Sequence, residues 1–126
     1  MLAYNGSVPG PTFSIPEGAE INVRLKNATD METTLHSHGV RMENAFDGVP
    51  DMTQRPIQPG ETFEYQLKFP DVGVYWYHPH VRTDYALEAG LYGNYIVTPQ
   101  DTQYWAAANR EVALILDDIA LDKNGI

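Results

Sequence analysis

From Glu20 to Asn27 the chain alternates Ile21, Val23 and Leu25 with Asn22, Arg24 and Lys26. A strand turns successive side chains to opposite faces, so this period predicts a strand with one face in a core and the other in water. The segment Glu61–Phe69 repeats the pattern after the turn residues Gln58-Pro59-Gly60, with Phe63, Tyr65, Leu67 and Phe69 facing one way and Glu64, Gln66 and Lys68 the other. Shorter stretches at Thr12–Ile15, Thr33–His38, Gly73–His78, Leu91–Thr98 and Glu111–Asp117 predict further strands. They are cut apart by Val8-Pro9-Gly10-Pro11, Asp47-Gly48-Val49-Pro50, Asp71-Val72-Gly73 and Thr98-Pro99. Helix has two short candidates: a turn or two over Thr83–Glu88, and a segment over Asp101–Asn109 with Asp101 as N-cap. About seven short strands with turn signals between them predict an all-β fold, a β-sandwich or Greek-key barrel.

Length holds that fold to a single domain over 1–126, since 126 residues fit one core and no internal repeat, low-complexity tract or linker divides them. A hydrophobic content of 43% is too high for a disordered tail, and 10 Gly with 9 Pro are too many for a helical bundle. The net charge of -9, without a basic stripe, excludes a nucleic-acid groove and is read as a solubility feature. With no cysteine there can be no disulfide framework, thiol nucleophile, Fe–S cluster or Cys-ligated zinc. No apolar run approaches the ~20 residues of a membrane span, and the opening Met1–Thr12 lacks the basic-then-apolar pattern of a secretion signal. The chain reads as a domain excised from a longer protein, with Met1 an initiator set at an internal start and Asp117–Ile126 a strand leaving the domain.

The histidines carry the chemistry. All 4 fall in two His-x-His pairs, His36-Ser37-His38 and His78-Pro79-His80. Random placement would produce this roughly once in a thousand chains, which outweighs the plain explanation of a half-buried, backbone-bonded histidine. Residues i and i+2 of a strand share a face with Cα atoms ~6.6 Å apart, so each pair presents two imidazoles side by side. Pro79 fixes its own φ, biases His78 toward an extended conformation and removes a ladder donor between the two rings. An all-imidazole donor set, without thiolate or clustered carboxylates, suits copper, zinc or nickel and excludes the hard oxygen-loving ions.

These pairs belong to a longer series: Leu35-His36-Ser37-His38-Gly39, Asp47-Gly48-Val49-Pro50, Gln58-Pro59-Gly60, Tyr75-Trp76-Tyr77-His78-Pro79-His80 and Gly90-Leu91-Tyr92-Gly93. With Tyr4-Asn5-Gly6 and Pro9-Gly10-Pro11-Thr12 near the start, the series resembles the N-terminal cupredoxin domain of a multicopper oxidase of the laccase class, over nearly the whole chain. The resemblance implies a cupredoxin fold that supplies half of the histidines of a trinuclear copper cluster. In the whole oxidase that cluster reduces O2 to water while phenolic, amine or metal-ion substrates are oxidised one electron at a time. By motif position it implies His36 as a ligand of the type 2 copper, His38 and His78 as joint ligands of one type 3 copper, and His80 as a ligand of the other. Ser37 stands where the family usually has Trp, a change of packing that removes no ligand.

The family's type 1 copper needs a cysteine, which this chain lacks, so the implied cofactor is type 2 and type 3 copper alone. The remaining cupredoxin domains of a parent oxidase would complete the site, or a homodimer with the same face of each copy on a two-fold axis would do so. The parent is expected in the periplasm or outside the cell. A copper-binding cupredoxin module without turnover is the alternative function. Asp47 reads by itself as a turn former, and by the resemblance as a proton relay near the type 2 copper water. Met31, Met42 and Met52 are scattered and read as gap fillers or surface residues. Tyr75, Trp76 and Tyr77 read as sandwich core with one of them turned away. Asn5-Gly6-Ser7 and Asn27-Ala28-Thr29 match the glycosylation acceptor pattern in turn-like sequence.

Overall fold

A computed structural model of the chain describes residues 1–118. The strands are β1 (Phe13–Pro16), β2 (Ala19–Lys26), β3 (His36–His38), β4 (Thr62–Phe69), β5 (Gly73–His78) and β6 (Gly93–Thr98), joined by a 3-10 turn at Asn44–Phe46 and a short helix α1 (Thr83–Ala86). They build a four-stranded sheet in the order β1-β6-β5-β3 and a two-stranded sheet of β2 and β4. β1 lies parallel to β6, and every other pair is antiparallel.

The register of β2 on β4 follows from the alternation in both strands. Ile21 faces Leu67, Val23 faces Tyr65 and Leu25 faces Phe63 on the inner side, while Glu20 faces Lys68 and Arg24 faces Glu64 on the outer. Both outer pairs close as ion pairs, at 2.8 and 3.0 Å. A slip of one residue would turn every inner side chain to water, so burial sets the register and the exposed pairs add only ~0.2–1 kcal/mol each. Ile15, Tyr77, Tyr95 and Val97 of the larger sheet meet Tyr65, Leu67 and Phe69 in one core that also takes Leu35 and Ile57. Since Tyr77 and Tyr95 point into that core, their neighbours Trp76, His78 and Asn94 point away from it.

Several expected elements are shorter than the pattern suggested. Only His36–His38 of Thr33–His38 joins a ladder. Thr33 makes an isolated backbone bridge to Ile57, and the Leu35 N–H donates to the Tyr65 hydroxyl at 2.9 Å, so a lone bridge and a side chain stand in for a continuous ladder there. β6 starts at Gly93 because the Leu91 N–H is taken by the Ala86 carbonyl behind α1.

Two expected elements do not form. Asp101–Asn109 is not a helix: the Asp101 carboxylate accepts from the Gln103 N–H at 2.8 Å in a local turn, and every residue of the segment is exposed. A helix of that length has no stability of its own without a face to bury. Glu111–Asp117 is not a strand either. No strand pairs with it among the described residues, and Val112, Leu114 and Leu116 stand 59%, 78% and 94% exposed. The acceptor pattern at Asn27 marks a structural residue instead: its buried amide donates to the Met31 and Ile57 carbonyls at 2.8 and 2.9 Å.

Candidate metal centre

β3 is an edge strand, and β5 carries the second histidine pair to its side. The register sets His36 opposite His78 and His38 opposite Trp76. These four side chains share the outer face of the sheet, while Ser37 and Tyr77 between them are buried in the core. His80 enters from beyond Pro79, with its backbone N–H donating to the Thr34 hydroxyl at 3.1 Å. All four histidines therefore gather in one place. Ring centroids are 4.2 Å apart for His36 and His80, 5.2 Å for His78 and His80, and 5.3 Å for His36 and His78. His36, His78 and His80 offer nitrogens all within 4.8 Å of one another. His38 stands outside that trio, with its Nδ1 3.3 Å from His78 Nε2 and its ring centroid 5.3 Å from that of His36.

Backbone carbonyls fix which nitrogens are free to bind. His36 Nδ1 is 2.7 Å from the Asp47 carbonyl and His78 Nδ1 is 3.0 Å from the Pro79 carbonyl. A carbonyl only accepts, so both rings carry hydrogen on Nδ1 and present a lone pair on Nε2. Two nitrogens at ~2.0–2.1 Å from one tetrahedral ion stand ~3.3 Å apart, which is the His38–His78 spacing. Either a proton or an ion can occupy that gap. His78 is only 5% exposed, and burial, the strongest influence, lowers its pKa to about 4 against the opposing pull of the Pro79 carbonyl. Burial followed by the charge of His36 also lowers the His80 pKa. Both rings are thus neutral near pH 7, the form that binds a metal. An all-nitrogen set with pre-set lone pairs and no thiolate fits copper.

Asp47 contributes twice. Besides the carbonyl contact, its carboxylate Oδ1 lies 3.3 Å from His36 Nδ1. The approach depends on Gly48, where φ is +75° and a Cβ would stand 2.6 Å from the Leu35 carbonyl carbon and 3.0 Å from the His36 nitrogen. No residue with a side chain fits that gap. Sequence reasoning gave Gly48 a turn and no more. Thr34, the anchor of His80, carried no signal in the sequence. Trp76 could have been found from alternation alone, since it shares a strand face with His78. Its indole stacks on His78 at 3.9 Å and on His38 at 5.0 Å. Tyr75 and Tyr77 pack toward the core, so Trp76 is the aromatic residue turned away. Of the methionines, Met42 packs against the core and Met52 is 82% exposed.

Known proteins share this arrangement of chain. A family model described as multicopper oxidase matches residues 1–102. The multicopper oxidase MCE of Talaromyces pinophilus is 41% identical over 103 residues, which cover 80% of this chain and 17% of that protein. Copper resistance protein A of Pseudomonas syringae pv. tomato is 31% identical over 116 residues, 92% of this chain and 19% of that one. Among solved structures, a multi-copper oxidase from Pseudomonas thermotolerans superposes with a TM-score of 0.77 at 40% identity, over 79% of this chain and 24% of that chain. The chain thus spans under a fifth of the length of these curated relatives. On the family match, the relatives and the shared cupredoxin fold, the chain belongs to the multicopper oxidases, the copper-dependent oxidoreductases that include the laccases.

Proposed function

We propose that His36, His38, His78 and His80 bind copper as this domain's share of a trinuclear cluster, within an oxidase that reduces O2 to water as it oxidises its substrate by single electrons. On this reading His36 serves the type 2 ion, His38 and His78 one type 3 ion, and His80 the other. The observation that carries it is the 3.3 Å separation of His38 Nδ1 and His78 Nε2, with the hydrogen of His78 held on the far side by Pro79. The chain, read as one domain over 1–126 of which 119–126 lie outside the described residues, is one cupredoxin domain of a longer protein, a reading supported by the small fraction of its relatives that the chain spans. The parent works in the periplasm or outside the cell. No helix among the described residues is long and apolar enough to cross a membrane.

Copper bound here would supply one-electron redox chemistry and a binding place for O2. The chain's own residues do the remaining work. The Asp47 and Pro79 carbonyls hold two imidazoles in the ligating tautomer, and the Thr34 hydroxyl fixes the backbone of His80. The Asp47 carboxylate, next to His36, holds and passes on a proton that the reduction of oxygen consumes. The other cupredoxin domains of the parent complete the ligand set. A second copy of this chain, brought face to face about a two-fold axis, is the other way to complete it.

Equilibrium dialysis against Cu(II), with His38→Ala and His80→Ala beside the wild type, tests the assignment. Each variant is expected to hold less copper than the wild type, and equal loading of all three would overturn it. The absence of cysteine favours a second reading, in which the domain binds copper without turnover because it has no entry point for electrons. An oxidase assay on the copper-loaded chain within its full-length parent separates the two: O2 consumption with an added electron donor supports the first, and copper retained without any consumption supports the second. Sedimentation with and without copper reports on the dimer, and a monomer that keeps its copper would refute that completion.

A further inference from the structure

The outer face of the β3–β5 pair has four neighbouring positions, and Trp76 is the one that cannot bind a metal. It faces His38 across the ladder and precedes His78 by two residues on its own strand. Its indole lies 3.9 Å from the His78 ring at an interplanar angle of 25° and 5.0 Å from the His38 ring at 30°. One flat surface therefore covers both imidazoles whose nitrogens face each other at 3.3 Å.

Little else sets the planes of these two rings. The torsion that turns an imidazole about its bond to Cβ is broad and has no sharp minimum of its own. His78 has one further hydrogen bond, to the Pro79 carbonyl, and His38 is exposed with only His78 as a bonded partner among the described contacts. Core volume does not explain the indole, because Tyr75 and Tyr77 fill the inner side of β5 and Trp76 points away from it. Trp76 also lines a cleft with Leu87, Tyr92 and Leu116. We propose, resting on the copper reading above, that Trp76 is a positioning residue: its stack fixes the ring planes of His38 and His78 so that Nδ1 of one and Nε2 of the other converge on a single copper ion. A side chain of equal bulk without a flat face would fill the space and leave the rings free to turn.

Trp76→Phe keeps a flat ring, whereas Trp76→Leu and Trp76→Met do not. Copper affinity, measured by competition with a chelator, is expected to fall ten- to about a hundredfold in Trp76→Leu, the range for residues that orient metal ligands, and to be largely kept in Trp76→Phe. Two further readouts report orientation directly. The Cu(II) electron paramagnetic resonance spectrum should change in Trp76→Leu and not in Trp76→Phe. In the metal-free protein, nitrogen-15 spectra should show His38 held with its hydrogen on Nδ1, facing His78 Nε2, in the wild type and Trp76→Phe, and averaged between tautomers in Trp76→Leu, while the Pro79 carbonyl keeps the His78 hydrogen on Nδ1 in all three. Should Trp76→Leu fail to fold, Trp76→Met makes the same comparison. Wild-type affinity and spectra in the non-planar variants would overturn the proposal, as would an equal loss in Trp76→Phe. If the wild type binds no copper the copper reading fails, while the metal-free nitrogen spectra still decide whether Trp76 orients the rings.

Discussion

Lowering the pH should unfold the metal-free protein partly through His78. In the unfolded chain this imidazole titrates near its ordinary 6.5, whereas in the fold burial holds it at about 4. Between those two values the unfolded state takes up a proton that the folded state refuses, so stability is full above pH 6.5, falls as the pH drops and levels off below 4. The difference corresponds to about 3 kcal/mol once complete, and to roughly 2 kcal/mol by pH 5. Against a domain stability of ~5–15 kcal/mol that is a large share. Urea unfolding followed by far-ultraviolet circular dichroism at pH 7.5 and pH 5 measures it, with His78→Asn as the reference. Asparagine has an amide nitrogen near the Nδ1 position that can still donate to the Pro79 carbonyl, and it does not titrate. The carboxylates act alike in both proteins, so the difference in stability between wild type and variant should shrink by about 2 kcal/mol on acidification. A difference that does not change with pH would refute the reasoning. The same low pKa protects metal binding: at pH 5 a free imidazole would lose about thirtyfold in affinity to protonation, and His78 would lose almost none.

Gly48→Ala should cost about 3 kcal/mol by thermal or chemical denaturation, because the new Cβ meets the Leu35 backbone at a residue with φ of +75°; an unchanged midpoint would show that the loop does not depend on this approach. Tyr65→Phe leaves the buried Leu35 N–H without its acceptor and should destabilise by about 1–3 kcal/mol, which urea titration will register or deny. Asp47→Asn should keep copper binding nearly intact, as the carbonyl to His36 remains, and should slow O2 consumption in a completed oxidase; equal turnover would remove the carboxylate from proton delivery. The copper-loaded chain should show no intense blue charge-transfer band, since that band needs a thiolate and the chain has 0 cysteines.

Strong alternation made β2 and β4 readable to within a residue at either end, because both strands bury one face and wet the other. The gathering of the histidines was legible for the same reason: His36 with His38 follows from the period of a strand. The limits of β3 were hidden, since the partners of Thr34 and Leu35 are the side chains and backbone of residues far along the chain. The segment Glu111–Asp117 misled because its apolar residues do satisfy the strand pattern, yet a strand also needs a ladder partner, and among the described residues no strand pairs with it and its apolar side chains stay exposed. The Asp101–Asn109 segment had a cap without a buried face, and a cap alone does not hold a helix. Asp47 was legible as a site residue only through family resemblance, because the contact that matters first is its main-chain oxygen, which every residue type has.

Ser37 lies between His36 and His38, the proposed copper ligands, with its side chain on the opposite face of the strand. It is 1% exposed, sits opposite Tyr77 in the ladder, and has its hydroxyl 3.3 Å from that of Tyr95. The consequence is evolutionary. Mutations at this position meet a limit of volume, which a change in a neighbouring tyrosine can offset; on the copper reading proposed above, mutations on either side meet a limit of coordination chemistry, for which no neighbour can compensate. On that reading a lineage can exchange Trp for Ser at this site by a change in packing that leaves the two histidines in place. Adjacent codons of a single three-residue strand evolve at different tempos.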